Sequence, residues 1–191
     1  MSDDEPNLTG REVLLCVTGG IACYKAADLA SKLVQAGAGV RVAMTDAAAR
    51  FVAPLTFGTL TGRRVHASMW QEDQLDRPRH LSLTDSADLM IVAPATANII
   101  AKMAVGTADD LVSAVALAAH DACEILIAPA MNSRMWQAPP TQANVRALAD
   151  RGVHVVGPGE GWLACGVTGV GRMAEPAEIL AAAAEILAGG N

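Results

Sequence analysis

What most constrains this chain is an alternation: short runs of Val, Ile and Leu are separated by longer Ala-rich segments whose apolar residues recur at helical spacing. Unbroken β-branched runs belong to strands buried on both faces, and the helical segments between them supply covering layers. The pattern therefore predicts a parallel sheet with helices on both sides. Strands are expected at residues 13–17, 40–44, 65–68, 89–93, 124–128 and 153–156. Helices are expected at 22–36, 46–52, 54–60, 108–119, 141–149 and 177–187. The first of them carries Ala22, Ala26, Leu29, Leu33 and Val34 on one side and stops at Gly37. This is a doubly wound, mainly parallel sheet of about six strands in one α/β domain, Rossmann-like or flavodoxin-like.

Three stretches fall outside the alternation. Residues 1–10 open with Met1-Ser2-Asp3-Asp4-Glu5-Pro6 and are expected to be a disordered acidic tail, leaving a domain over 11–188. Residues 70–79 are polar and fit a surface loop. Residues 157–173 hold six glycines with neither helical nor strand period, so a long loop or flap is expected there.

Charge and apolar patterning narrow the function classes. Twenty Asp and Glu against 14 Lys and Arg give a net charge of −6 over 191 residues, with no basic cluster beyond pairs such as Arg63-Arg64, which argues against a nucleic-acid partner. The longest uncharged apolar stretch, 89–101, is too short to cross a bilayer and contains Pro94, so no membrane association is expected. The N-terminus lacks the basic and apolar regions of a secretion signal, and a cytoplasmic location is expected. Cys16, Cys23, Cys123 and Cys165 form no Cys-x-x-Cys pair, and Cys16 and Cys123 lie in apolar runs; neither a metal nor a disulfide framework is expected. A 52% hydrophobic content with 18% charge also suggests a surface covered by copies of the same chain, a homo-oligomer.

In an open parallel sheet, ligands sit beyond the carboxyl ends of the strands, so the residues that follow each strand are the informative ones. After the first strand, Thr18-Gly19-Gly20-Ile21-Ala22 runs straight into a helix, where backbone N–H groups could face an anion such as a mononucleotide phosphate. It is neither a Gly-x-Gly-x-x-Gly fingerprint nor a Gly-x-x-x-x-Gly-Lys-Ser/Thr loop, and a plain tight turn is the alternative. Thr45 follows the second strand as an N-cap hydroxyl that could also bind phosphate. The fourth and fifth strands end in two Ala-Pro-Ala turns, leading to Asn98 and Asn132, each of which could instead be a helix cap. His80 stands at a loop boundary, where a surface or capping role is the alternative. Cys165 lies in the glycine-rich stretch, where a thiol can be exposed and reactive.

Two longer motifs carry a resemblance. Pro129-Ala-Met-Asn-Ser-Arg-Met-Trp136 is similar to the Pro-x-Met-Asn-x-x-Met-Trp signature of the flavin-dependent cysteine decarboxylase family. Leu163-Ala-Cys-Gly-Val-Thr-Gly-Val-Gly-Arg-Met-Ala-Glu-Pro176 resembles its substrate-clamp loop, and the similarity runs from about Glu12 to Ala188. The branch resembled is the one that converts 4'-phospho-N-pantothenoylcysteine to 4'-phosphopantetheine in coenzyme A biosynthesis. The resemblance implies FMN as cofactor, held by Gly19, Gly20, Ile21, Ala22, Thr45, Thr96, Ala97, Asn98 and Ala130. Gly20 stands where many relatives carry Ser. It implies His80 as base, Asn132 as the holder of the substrate carboxylate or amide, and Cys165 as proton donor to an enethiolate formed by way of a thioaldehyde. Substrate contacts are implied at Asn132, Met135, Trp162, Leu163, Ala164, Gly166, Arg172 and Met173; Lys25, Arg134 and Arg172 are unranked candidates for gripping the substrate phosphate.

The resemblance further implies trimers with FMN at the subunit contact, often assembled into dodecamers, and a phosphopantothenate–cysteine ligase fused or encoded separately. The chain ends before such a ligase domain, so a stand-alone decarboxylase or a fragment is expected. Alternatives are a decarboxylase of C-terminal Cys peptides, which shares the first motif but not the second, and a flavin prenyltransferase, which lacks both. A flavodoxin-like electron carrier needs more aromatic residues than one Tyr, two Phe and three Trp. A non-catalytic flavoprotein regulator is expected to lose His80, Asn132 or Cys165.

Overall fold

The computed structural model describes residues 6–70, 79–162, 166 and 168–189. Six parallel strands form one sheet: β1 (Glu12–Val17), β2 (Gly39–Met44), β3 (Val65–His66), β4 (Leu89–Ala95), β5 (Glu124–Pro129) and β6 (His154–Val155), in the order β3-β2-β1-β4-β5-β6. β1 pairs with β2 on one side and β4 on the other, so the strand order reverses between β1 and β4. The doubly wound sheet expected from the hydrophobic alternation is therefore present, with its ligand-binding crevice at that reversal.

Burial follows the period of two within the strands. Val13, Leu15 and Val17 of β1 face a layer containing α1 (Cys23–Gln35), α3 (Pro54–Thr61) and α9 (Pro176–Gly189), in which Leu29, Leu33, Phe57 and Ile179 are buried. Leu14 and Cys16 face the opposite layer, built from α5 (Ala97–Val105), α6 (Leu111–Ala118) and α8 (Pro139–Ala149), with Ile99, Ile100, Val112, Val115 and Leu148. Each fully buried Leu or Ile contributes about 1.5–3 kcal/mol of transfer free energy, so the two layers hold the sheet ends in place. Short helices α2 (Asp46–Ala49), α4 (Arg79–Thr84) and α7 (Ser133–Gln137) complete the chain.

Several features differ from the sequence expectation, the unassigned short helices α4 and α7 among them. Residues 97–105 form α5, to which no element had been assigned: the apolar run continues from β4 into the helix and hides the boundary, which Thr96 marks by accepting the Ile99 N–H. The glycine-rich stretch is not a loop throughout; β7 (Gly159–Trp162) and β8 (Thr168–Arg172) pair antiparallel as a hairpin. Glycine alternation masks a strand because glycine contributes no apolar period. Finally, order begins inside the expected tail: Leu8 is buried in the α1 layer and its N–H donates to the Ala36 carbonyl at 2.7 Å. Among the described residues no helix is long and apolar enough to cross a membrane.

Candidate active site

The carboxyl ends of β1, β2, β4 and β5 and the foot of the hairpin enclose one cavity of about 1020 Å³. Its floor is fixed at the strand reversal. The Thr18 hydroxyl, buried after β1, donates to the Pro94 carbonyl at 2.6 Å and lies 3.3 Å from Thr96 Oγ1, tying the ends of β1 and β4 together. Thr18 opens the turn that the sequence reading singled out but was not among the residues assigned to the cofactor; its signal is position, the last residue before the glycine pair.

Gly19 is required by a close approach: a Cβ there would lie 2.4 Å from Ala47 Cβ in α2. At Gly20 the nearest atom to an added Cβ is Thr96 Cγ2, at 3.6 Å, an ordinary van der Waals contact. α1 then starts at Ala22 with no side-chain cap and no acid in its first turn, leaving the positive end of its dipole open to the cavity that Ile21, Ala22 and Tyr24 line. Thr45 and Thr96 cap α2 and α5 by accepting the Ala48 and Ile99 N–H groups, and both line the cavity with Ala97, Asn98 and Ala130. Thr96, not Asn98, is the cap; Asn98 is the second residue of α5. A glycine cradle, an uncapped helix start and threonine hydroxyls form a donor set suited to an anionic, phosphate-bearing cofactor.

The opposite wall comes from β5 and the hairpin. Asn132 caps α7, its Oδ1 accepting the Arg134 N–H at 2.8 Å, and lines the cavity with Met135. Met131 N–H donates to the Gly171 carbonyl at 2.9 Å, which lays β8 directly on the Met131–Ser133 turn. Arg172, Met173 and Trp162 line the cavity from the hairpin, and Trp162 is 70% exposed. Buried Lys25 bonds the Met173 carbonyl at 3.2 Å and the Glu175 carboxylate at 2.9 Å, and Arg172 pairs with the same carboxylate. The Lys25 hydrogen bond holds the Glu175 carboxyl below its ordinary value.

Of the residues expected at the site, His80 lies in α4 and is not among those lining the cavity of the single chain. Gly166 is exposed and also outside the lining. Cys165, Leu163 and Ala164 lie outside the described residues. Of the phosphate-grip candidates, Arg172 and Lys25 line the cavity and Arg134 does not. Lys102, Asp109, Asp110, Met69 and Trp70 line it too; Lys102 comes from the unassigned α5, Asp109 and Asp110 from the start of the helix expected at 108–119, and Met69 and Trp70 from the segment following β3. Burial pushes the Cys16 thiol up strongly and the Cys123 thiol to about 11, which disfavours their thiolates, and Cys23, also raised by burial, donates its S–H to the Thr18 carbonyl.

Known proteins share this architecture. The chain is 49% identical over 173 residues to the coenzyme A biosynthesis bifunctional protein CoaBC of Bacillus subtilis (strain 168), covering 91% of the chain and 42% of that protein. It is 43% identical over 174 residues to the protein of the same name from Escherichia coli (strain K12), again covering 91% and 42%. The chain thus spans about two fifths of the length of the curated relatives it matches. Among solved structures, a PPC decarboxylase mutant complexed with pantothenoylaminoethenethiol superimposes with a TM-score of 0.81 at 29% identity, covering 91% of this chain and 96% of that one. The FMN-dependent cysteine decarboxylase SpaF gives a TM-score of 0.82 at 29% identity, covering 95% and 98%. The model of one family, described as Flavoprotein, matches residues 1–188, the span that holds the sheet, the glycine cradle and the hairpin alike: the chain belongs to the Flavoprotein family.

Proposed function

We propose that this chain binds FMN and decarboxylates 4'-phospho-N-pantothenoylcysteine to 4'-phosphopantetheine, a step of coenzyme A biosynthesis. One observation carries the proposal: the Gly19-Gly20 turn, Thr96–Asn98, Asn132, Met135 and the hairpin foot, distant in sequence, line one cavity. The names of the CoaBC relatives and of the PPC decarboxylase structure support the substrate, and SpaF supports the cofactor. The fit to FMN rests on the missing Cβ at Gly19, the uncapped start of α1 and the Thr45 and Thr96 hydroxyls.

FMN held by the Gly19-Gly20 turn, Thr45 and Thr96 would supply a two-electron acceptor and donor beside the carbon that bears sulfur, the sink that loss of CO2 from a β-thiol acid needs. The chain's own residues hold and protonate the substrate. Asn132, whose side-chain oxygen accepts the Arg134 N–H, lines the cavity and holds the substrate carboxylate or amide by hydrogen bonds. Met135, Trp162 and the hairpin cover the substrate and exclude water. Arg172 and Lys25, which line the cavity, are the candidates for gripping the substrate phosphate. Cys165 gives the proton that completes reduction of the enethiolate, and His80 accepts the thiol proton.

His80 is not among the described residues that line the cavity of its own chain, and its role fits presentation from one copy to the cavity of the next, in a homo-oligomer such as a trimer or a dodecamer built of trimers. The exposed apolar rim of Ile21, Tyr24, Trp70 and Trp162 around the cavity supports such a contact. A cytoplasmic location and a phosphopantothenate–cysteine ligase as partner or fused domain belong to the same proposal. The test is mass spectrometry of the product after incubation with phosphopantothenoylcysteine and, separately, with a C-terminal Cys peptide. A mass loss of CO2 on the first alone is expected, and loss only on the peptide overturns the substrate. The purified chain is expected to be yellow and to release FMN on denaturation.

A further inference from the structure

In the cavity wall, Lys102 of α5 sits between two carboxylates. Its Nζ lies 2.6 Å from Asp109 Oδ1 and 2.6 Å from Asp110 Oδ2, with the lysine side chain 17% exposed. All three residues line the cavity. Burial opposes the charge on Lys102, but the hydrogen bonds to Asp109 and Asp110 outweigh it and raise the ammonium above its ordinary value. The same contact lowers the Asp109 carboxyl.

The local caps of the corner are made without the lysine ammonium. The backbone carbonyl of Lys102, not its side chain, accepts the Gly106 and Thr107 N–H groups that close α5. Asp110 caps α6 through the Ser113 N–H at 2.9 Å, a bond that asparagine makes equally well. Position explains the lysine better. Lys102 is one turn beyond Asn98 on the same side of α5, and helical side chains lean toward the N-terminus, here the end that opens on the cavity. Two uncompensated carboxylates there would repel a phosphate dianion, since charges in a partly enclosed site interact far more strongly than in bulk water.

We propose that Lys102 is a specificity-determining residue: by offsetting one of the two charges of Asp109 and Asp110 it lessens the repulsion that a phosphate meets in the cavity, and so raises the affinity for the phosphate-bearing flavin, FMN, relative to that for uncharged riboflavin. The inference rests on the FMN reading above and adds to it a residue that selects the charged form of the cofactor.

The test titrates the full chain, freed of flavin, with FMN and with riboflavin, following quenching of tryptophan fluorescence; Trp70 and Trp162 line the cavity. Lys102→Met is expected to weaken FMN by about tenfold or more and riboflavin by less than about twofold. Adding Asp109→Asn and Asp110→Asn is expected to return FMN affinity to that of the parent chain or above it, because the repulsion is gone. A merely structural corner would weaken both flavins alike and would not be repaired by the asparagines; either result overturns the proposal. If Lys102→Met fails to fold, Asp109→Asn alone decides: tighter FMN with unchanged riboflavin is expected, and unchanged FMN affinity overturns it. A parent chain that binds neither flavin sinks the cofactor reading and this inference together. A parent that binds FMN while the Lys102 series stays flat sinks this inference alone.

Discussion

Gly171 and Met131 are joined through their backbones. The Met131 N–H donates to the Gly171 carbonyl at 2.9 Å, and a Cβ on Gly171 would stand 2.2 Å from the Met131 carbonyl oxygen. Gly171 also has φ of +144°, a conformation that side chains disfavour. The hairpin is thus seated on the turn that carries Asn132, and only glycine permits the approach. Gly171→Ala is expected to destabilise the chain by about 1–3 kcal/mol, read as a lower melting temperature, and to cost activity by lifting β8 from the turn. An unchanged melting temperature would show that the strand is not seated there.

Asn132 has two separable duties, since it caps α7 and faces the cavity. Asn132→Asp keeps a capping oxygen but sets a negative charge against the substrate carboxylate. It is expected to melt close to the parent and to lose decarboxylation almost entirely. Asn132→Ala is expected to lose about 1 kcal/mol from the missing cap as well as activity. Turnover by the aspartate variant near the parent rate would remove Asn132 from the substrate site.

Lys25 bridges α1 to the residues after β8, so its contacts should appear in the pH dependence of stability. The Lys25 hydrogen bond lowers the folded-state pKa of Glu175, whose ordinary value is 4.5. A depressed carboxyl contributes stability that is present above its unfolded value and is lost as pH falls through the folded one. Chemical denaturation between pH 7 and pH 3 is therefore expected to show a shallower acid loss for Lys25→Met than for the parent. At pH 7 the variant is expected to be weaker by about 1–2 kcal/mol, from the lost charged hydrogen bonds. Parallel acid profiles would indicate that the Glu175 pairing does not register in stability.

Cys165→Ser tests the last proton transfer. The variant is expected to oxidise and decarboxylate the substrate and then to accumulate the enethiol, visible as a product two mass units lighter than 4'-phosphopantetheine. Normal product in normal yield would take the proton-donor role away from Cys165.

Much of this was legible in the chain itself. The strands around Leu14, Val42, Ile91 and Ile127 and the helix around Leu29 follow from hydrophobic period alone, because a strand or helix must turn its apolar side chains to one face or bury both. Thr45 was legible as a cap, and Asn132 could be read both as a cap and as a ligand; the structure gives it the cap bond and a place in the cavity wall. The helix starting at Ala97 was hidden because its apolar residues continue those of β4 without a break, and the hairpin because its glycines carry no period.

By itself the sequence determined the layering of sheet and helices, the positions of the glycine turn and the Asn132 motif, and the family, since each is written in local spacing. Tertiary structure alone decided that Thr18 meets Thr96, that β8 rests on Met131, that Lys102 sits between Asp109 and Asp110 in the cavity wall, and that His80 stays out of that wall. Strand order and hairpin docking depend on which buried surfaces close against one another across the whole chain, and no local period encodes that choice.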